Sequence, residues 1–170
     1  MRRLKISLVC ILALAFSLVA VEAQEGFTSE TDEYTLELPS QTWKATPRPD
    51  NVHQHTEFIY GDRMDGHLRI RKEVVDANTT AAQLAERQQD LKLRYLSGYV
   101  GGKEERFAGR LNGVTFSYEF TSSGKAMAGR IYYLQADNRT VYVLHFTGLR
   151  DKLVRIQNQT DAIARSFRLK

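Results

Sequence analysis

The chain has 170 residues, 42% of them apolar, with one cysteine and a formal net charge of +4. A charge so near balance gives no case for nucleic-acid binding. One cysteine excludes a disulfide scaffold, and the length suits a single domain with a core of its own.

The first 23 residues, MRRLKISLVCILALAFSLVAVEA, have the layout of a secretory signal peptide. Arg2, Arg3 and Lys5 precede an apolar run, and small residues stand at positions 21 and 23. The reading is an exported protein, periplasmic or secreted after cleavage near Ala23. An uncleaved anchor is the alternative, since the run approaches the roughly 20 residues of a membrane span. Cys10 lies mid-run, where lipid attachment does not occur. The chain beyond residue 23 carries 21 basic against 19 acidic groups and no cysteine. Thiol catalysis and zinc–thiolate sites are therefore excluded from the exported part.

Residues 24–33 are polar and acidic and read as a flexible lead-in to a single domain over 34–170. In YTLELP, Tyr34, Leu36 and Leu38 alternate with polar residues as in a half-buried strand, and Pro39 ends it. Trp43 lies in a second short extended run before the loop PRPDN. TEFIYG and HLRIRKEVV form a hairpin across DRMDG, with Leu68, Ile70, Lys72 and Val74 on one face and His67, Arg69, Arg71 and Glu73 on the other. A helix begins at Thr80, where Gln83 completes a capping box, and stops at Gly98. Its expected inner face is Ala81, Leu84, Leu91 and Tyr95, interrupted by Gln88.

Strands resume with VTFSYEF, GRIYYLQ and TVYVLHF. The last is apolar on both faces, as a covered central strand would be. A closing helix over 151–167 turns Leu153, Ile156, Thr160 and Ile163 inward. The order strands, helix, strands, helix predicts an α+β fold, an antiparallel sheet packed between helices.

These parts resemble a known family. LELP followed by a tryptophan, then a helix, LNGVTFSYEF, GRIYYLQ, RTVYVLHFTG and a helix ending in Ser166 and Phe167 are similar to the PsbP-like α/β/α sandwich superfamily. That group includes PsbP of the oxygen-evolving complex and the Ran-binding Mog proteins. Gly113, Tyr142 and Phe167 match as structural positions. The resemblance covers nearly all of 34–167. It implies a sheet between helices and a binding or assembly role, with no reaction and no catalytic residue.

The residues themselves give little chemistry. His53, His55 and Glu57 share a face of an extended segment and, with His67, are the one metal-like cluster; a solvated strand entrance is the alternative. No nucleophile elbow accompanies the hydroxyls, and His145 lies inside an apolar strand. Glu104 with Glu105, and Asp32 with Glu33, read as solvated charge. GYVGG is followed by Lys103 and then Glu104, not by the lysine–serine ending of a phosphate loop, and it comes after a helix. Arg69, Arg71, Arg106 and Arg110 suggest a basic face, blunted by Glu73, Glu104 and Glu105. Three N-x-T triplets begin at Asn78, Asn138 and Asn158 and read as chance occurrences in a bacterial-type exported chain.

No catalytic, cofactor or metal residue is assigned. The function predicted is a non-enzymatic binding or assembly protein of the cell envelope, docking an envelope protein through loops at 47–55 and 99–103. A carrier of a small apolar ligand or lipid, and a metal-dependent envelope enzyme, are the alternatives.

Overall fold

The computed structural model describes residues 25–28, 32–49 and 54–170. The signal-like leader, His53 and the side chain of His55 lie outside the described residues. Strand β1 (Glu25–Thr28) pairs antiparallel with β2 (Tyr34–Leu38), so the stretch read as a lead-in contains a strand. The reason is Phe27, which packs edge-on against Phe58 with ring centroids 4.8 Å apart. Asp32 and Glu33, read as solvated, are both tethered. Asp32 accepts from Thr56 Oγ1 at 2.9 Å. Glu33 accepts from Lys72 Nζ at 2.6 Å and from Tyr142 OH at 2.9 Å, contacts that lower its pKa.

The main sheet consists of β3 (Trp43–Pro49), β4 (Gln54–Tyr60), β5 (Gly66–Val74), β6 (Val100–Gly101), β7 (Glu105–Phe107), β8 (Gly113–Ser122), β9 (Lys125–Gln135) and β10 (Thr140–Leu149). The spatial order is β3-β4-β5-β10-β9-β8-β6, with β7 also on β8, and every pairing is antiparallel. TVYVLHF is indeed a central strand, paired with β5 on one side and β9 on the other. Between β3 and β4, residues 47–49 of the expected loop belong to the strand.

Each face of this sheet carries its own core. Helix α1 (Ala81–Leu91) covers Val114, Phe116, Tyr133, Val141 and Val143. The opposite face buries Trp43, Phe58, Tyr132, Leu144 and Phe146 beneath β2 and the C-terminal helices α2 (Arg150–Arg155) and α3 (Gln157–Ser166). The closing β11 (Arg168–Leu169) pairs with β2. The result is an α+β fold in which helices sandwich an antiparallel sheet.

The capping box forms: Gln83 N–H donates to Thr80 Oγ1 and Thr80 N–H to Gln83 Oε1. The inner face differs from expectation. Gln88 is buried, reached by Tyr133 OH at 3.2 Å and donating to Glu73 at 3.3 Å. Leu91 and Tyr95 are exposed, at 65% and 81%. The helix gives way after Leu91 to a 3-10 turn, Leu93–Tyr95, whose tighter winding rotates Leu93 inward in their place. The closing helix is two helices, broken at Ile156, yet Leu153, Ile156, Thr160 and Ile163 are all buried as predicted. Val74, placed on one face of β5 with Leu68, Ile70 and Lys72, is 77% exposed at the end of the strand.

Gly113 and Phe167, two of the family-like positions, have packing reasons. A Cβ on Gly113 would lie 1.8 Å from the Tyr133 carbonyl oxygen. Phe167 is fully buried against Tyr34 and Tyr142, at 5.1 and 5.2 Å between ring centroids.

Candidate docking cleft

The GYVGG segment closes one margin of the main sheet. Val100 and Gly101 pair with Glu119 and Tyr118, and Gly102 N–H donates to the Ser117 carbonyl at 2.8 Å. A side chain at Gly102 could not approach so closely, since its Cβ would lie 2.5 Å from that oxygen. The glycines therefore let the chain lie flat on β8, where a contact loop was expected.

Between this margin and α2 is a cleft of about 210 Å³. Its walls are Val100, Ala128, Leu153 and Val154, and its floor holds Ser117, Arg130 and Gln157. Val100 and Val154 are 62% and 61% exposed, apolar side chains left in water on the two sides of the opening. Glu119 and Arg150, paired at 3.2 Å, link β8 to α2 near one end.

The floor is built by one buried arginine. Arg130 comes from β9, where period two places Ala128, Arg130 and Tyr132 on the α2–α3 face. Its Nη1 donates to Ser117 Oγ at 2.8 Å, Nη2 to Asp161 Oδ1 at 3.0 Å and Nε to Tyr132 OH at 2.6 Å. Tyr132 OH also donates to Asp161 and lies 2.9 Å from Thr160 Oγ1. Burial disfavours the Arg130 charge, but Tyr132 and Asp161 outweigh it and raise the pKa. Burial likewise pushes the Tyr132 phenol above its usual range. Of the five N–H donors of a guanidinium, these contacts use one on each nitrogen. The sequence reading missed this group. Its signal was an arginine in phase with buried residues of a strand.

On the α1 face, Tyr118 lies across Gly129 to meet His145 Nε2 at 2.7 Å. Burial, then the charges of Arg71 and Arg69, lower the His145 pKa to about 3. The residue keeps partial solvent exposure, which screens some of that penalty. Burial raises the Tyr118 pKa. Both shifts run away from what proton transfer near neutral pH requires.

Other sequence candidates are dispersed. Glu57 is buried in contact with Arg63 and lies 3.6 Å from His67 Nε2. Burial lowers the His67 pKa, with Glu57 opposing. Among the described residues, no three His, Cys, Asp or Glu side chains group as metal ligands. Three strands separate Arg69 and Arg71 on β5 from Arg106 on β7, so these arginines, though on one side of the sheet, form no contiguous patch. Burial and the neighbouring Glu86 raise the Glu104 pKa.

Two broader hollows, each about 500 Å³, lie on the α1 side. One is walled by charged groups including Glu73, Asp76, Arg87 and Lys92. The other is a shallow saddle over Ala81, Phe107 and Val114. All three hollows open to solvent. No described helix is long and apolar enough to cross a membrane.

No protein-family model matches the chain, and no curated protein matches it in sequence. Solved structures do match. LpqN, involved in cell envelope biogenesis of Mycobacterium tuberculosis, aligns at 14% identity and a TM-score of 0.57, over 86% of this chain and 91% of that one. Cyanobacterial PsbP from Synechocystis sp. PCC 6803 aligns at 12% identity and a TM-score of 0.56, over 89% and 95%. The Saccharomyces cerevisiae Ran-binding protein Mog1p aligns at 11% identity and a TM-score of 0.60, over 87% and 96%. At such identities the likeness speaks for architecture, and the architecture of this chain is the PsbP/Mog-like fold.

Proposed function

We propose that this is an exported, non-enzymatic binding protein of the cell envelope, and that it docks an envelope protein at the cleft between β6 and α2. The observation that carries the reading is the pair of exposed valines, Val100 and Val154, facing each other over an apolar cleft. Its volume of about 210 Å³ is below the roughly 300–1,000 Å³ of pockets that engulf a drug-sized ligand. It suits an anchoring side chain of a partner better than a carried lipid. The signal-like leader and the envelope role named for LpqN support the location.

The test is a pull-down with the tagged protein, residues 24–170, from envelope extract of its own organism, read by quantitative mass spectrometry. One partner should be enriched by the parent protein and lost by both Val100→Asp and Val154→Asp. Equal recovery by the parent and both variants overturns the cleft as the docking site. An empty pull-down combined with stoichiometric co-purified lipid would replace docking with carriage.

A further inference from the structure

We infer that the open part of the α1-side sheet face, at Arg69 and Arg71 of β5 beside His145 of β10, is a binding site for a phosphate group. The site lies on the face opposite the cleft and does not depend on the docking reading. Helix α1 packs on β8 and β9, and its Gln88 reaches as far as Glu73 of β5. Beyond Glu73 the same face of β5 continues through Arg71, Arg69 and His67, and both arginines are exposed. Register sets their surroundings. Arg71 lies opposite Val143, at the border of the core under α1. Arg69 lies between His145 and Glu57, and His67 between Thr147 and Ile59, with Lys44 of β3 next in that row.

Cations outnumber carboxylates on this surface. Lys44, Arg63, Arg69 and Arg71 stand against Glu57 and Glu73. Arg63 reaches back from the β4–β5 turn to bind Glu57, so that carboxylate is already engaged. Glu73 accepts from Gln88 and lies 3.8 Å from Arg71, an exposed pair of the kind that contributes little and yields readily. Arg69 and Lys44 have no ion pair or side-chain hydrogen bond among the described residues. After burial, the charges of Arg71 and Arg69 hold the His145 pKa down, so the field of both reaches that ring. Strand geometry puts the Arg69 and Arg71 Cα atoms roughly 6.5 Å apart on one face, a spacing at which two guanidinium groups share one tetrahedral anion. Phosphate fits this pair better than a carboxylate, because it offers oxygens to both planar forks at once. A lipid headgroup and a soluble phosphate ester present the same group.

The probes are inorganic phosphate and glycerol phosphate, titrated at constant ionic strength into the full protein as its host processes it, labelled with 15N. The expected result is saturable shifts of the Arg69, Arg71 and His145 amides. Arg69→Gln and Arg71→Gln should each weaken binding roughly fivefold or more, while Arg106→Gln, on the same side of the sheet but three strands away, changes it less than about twofold. Shifts that chloride reproduces, shifts that never saturate, or equal weakening by all three variants overturn the proposal. Vesicles then separate the sources. Sedimentation with phosphatidylglycerol but not phosphatidylcholine, lost by both β5 variants, assigns the phosphate to a lipid headgroup. Binding of glycerol phosphate without sedimentation assigns it to a soluble ester. Arg69→Gln should keep the envelope partner and Val154→Asp should keep phosphate, so the two readings fail separately.

Discussion

The two ends of the main sheet solve the same problem in opposite ways. At the β3 end, Gly61 N–H donates to the Thr42 carbonyl, which sets Lys44/Ile59 and Thr46/Glu57 as hydrogen-bonded pairs. Ala45, Pro47 and Pro49 then stand at outward positions, and two of those three have no N–H to offer. Proline on an exposed strand is a common device against unwanted pairing. At the β6 end the outward position is Gly101, which keeps its N–H and has no side chain. One end is chemically closed, and the other is short but open. An open end beside an apolar cleft is what a binding surface requires, whereas a closed one protects solubility.

The largest effects should come from uncoupling the closed end from its core. Trp43 is 2% exposed; its ring packs on Phe146 at 6.0 Å, and its Nε1 donates to Gln159 at 2.9 Å. Trp43→Ala and Phe146→Ala should each cost about 3–5 kcal/mol, measured as urea unfolding. Because the rings touch, the double mutant should lose less than the sum. Full additivity would mean that β3 does not share the core beneath β10.

At the open end the largest stability effect is expected at Gly102. Its Cβ would lie 2.5 Å from a backbone oxygen, which has no flexible tip to move aside. Gly102→Ala should therefore lift β6 from β8 at about 1–3 kcal/mol, with faster amide exchange at Gly102 and unchanged exchange in β3. A neutral substitution would show that β6 is not held against the sheet, and Gly101 would lose its defined outward direction.

How far the sequence carries differs between the two ends. The strands, the capping box, the central position of β10 and the buried stripe from Leu153 to Ile163 were legible, because local periodicity reports them directly. Tyr95 was misplaced because the periodicity assumes an unbroken α-helix, and the turn at Leu93 changes the phase; Leu91 is exposed at the last position of the helix, before that turn begins. β1 was missed because a single aromatic, Phe27, holds it against a distant strand. Val100 gave only a contact loop. Its partners Leu153 and Val154 lie about fifty residues away, so no local pattern joins them. Arg130 was visible as an arginine but not as the cleft floor, since Asp161 comes from another element.

His145 lies between the two ends, on the sheet face opposite the cleft. Its pKa of about 3 is below the ordinary 6.5 of an unfolded chain. Between those values the unfolded state binds a proton that the native state does not, so stability is present above pH 6.5 and is lost as pH falls towards 3. The loss is at most about 1.4 kcal/mol per pH unit, reduced by solvent screening. His145→Leu removes the Tyr118 contact and lowers stability at pH 7, but its acid limb should be flatter than the parent's. Urea midpoints at pH 7 and pH 4 decide it. Parallel pH profiles would mean that acid sensitivity arises elsewhere, with Glu33, whose pKa is lowered, as the first alternative.

The smallest stability change, and the sharpest contrast between the ends, is expected at Pro47. Its outward position contributes no ladder bond, and its side chain is exposed. Pro47→Val should therefore alter stability by no more than about 0.5 kcal/mol. It restores an outward N–H next to that of Ala45, on a residue suited to extended backbone. Two such donors on a strand of seven residues are enough to begin pairing between copies. Light scattering should show concentration-dependent association of the variant where the parent stays unassociated. If the variant does not associate, proline is not what closes this end, and an outward N–H alone is too weak a template.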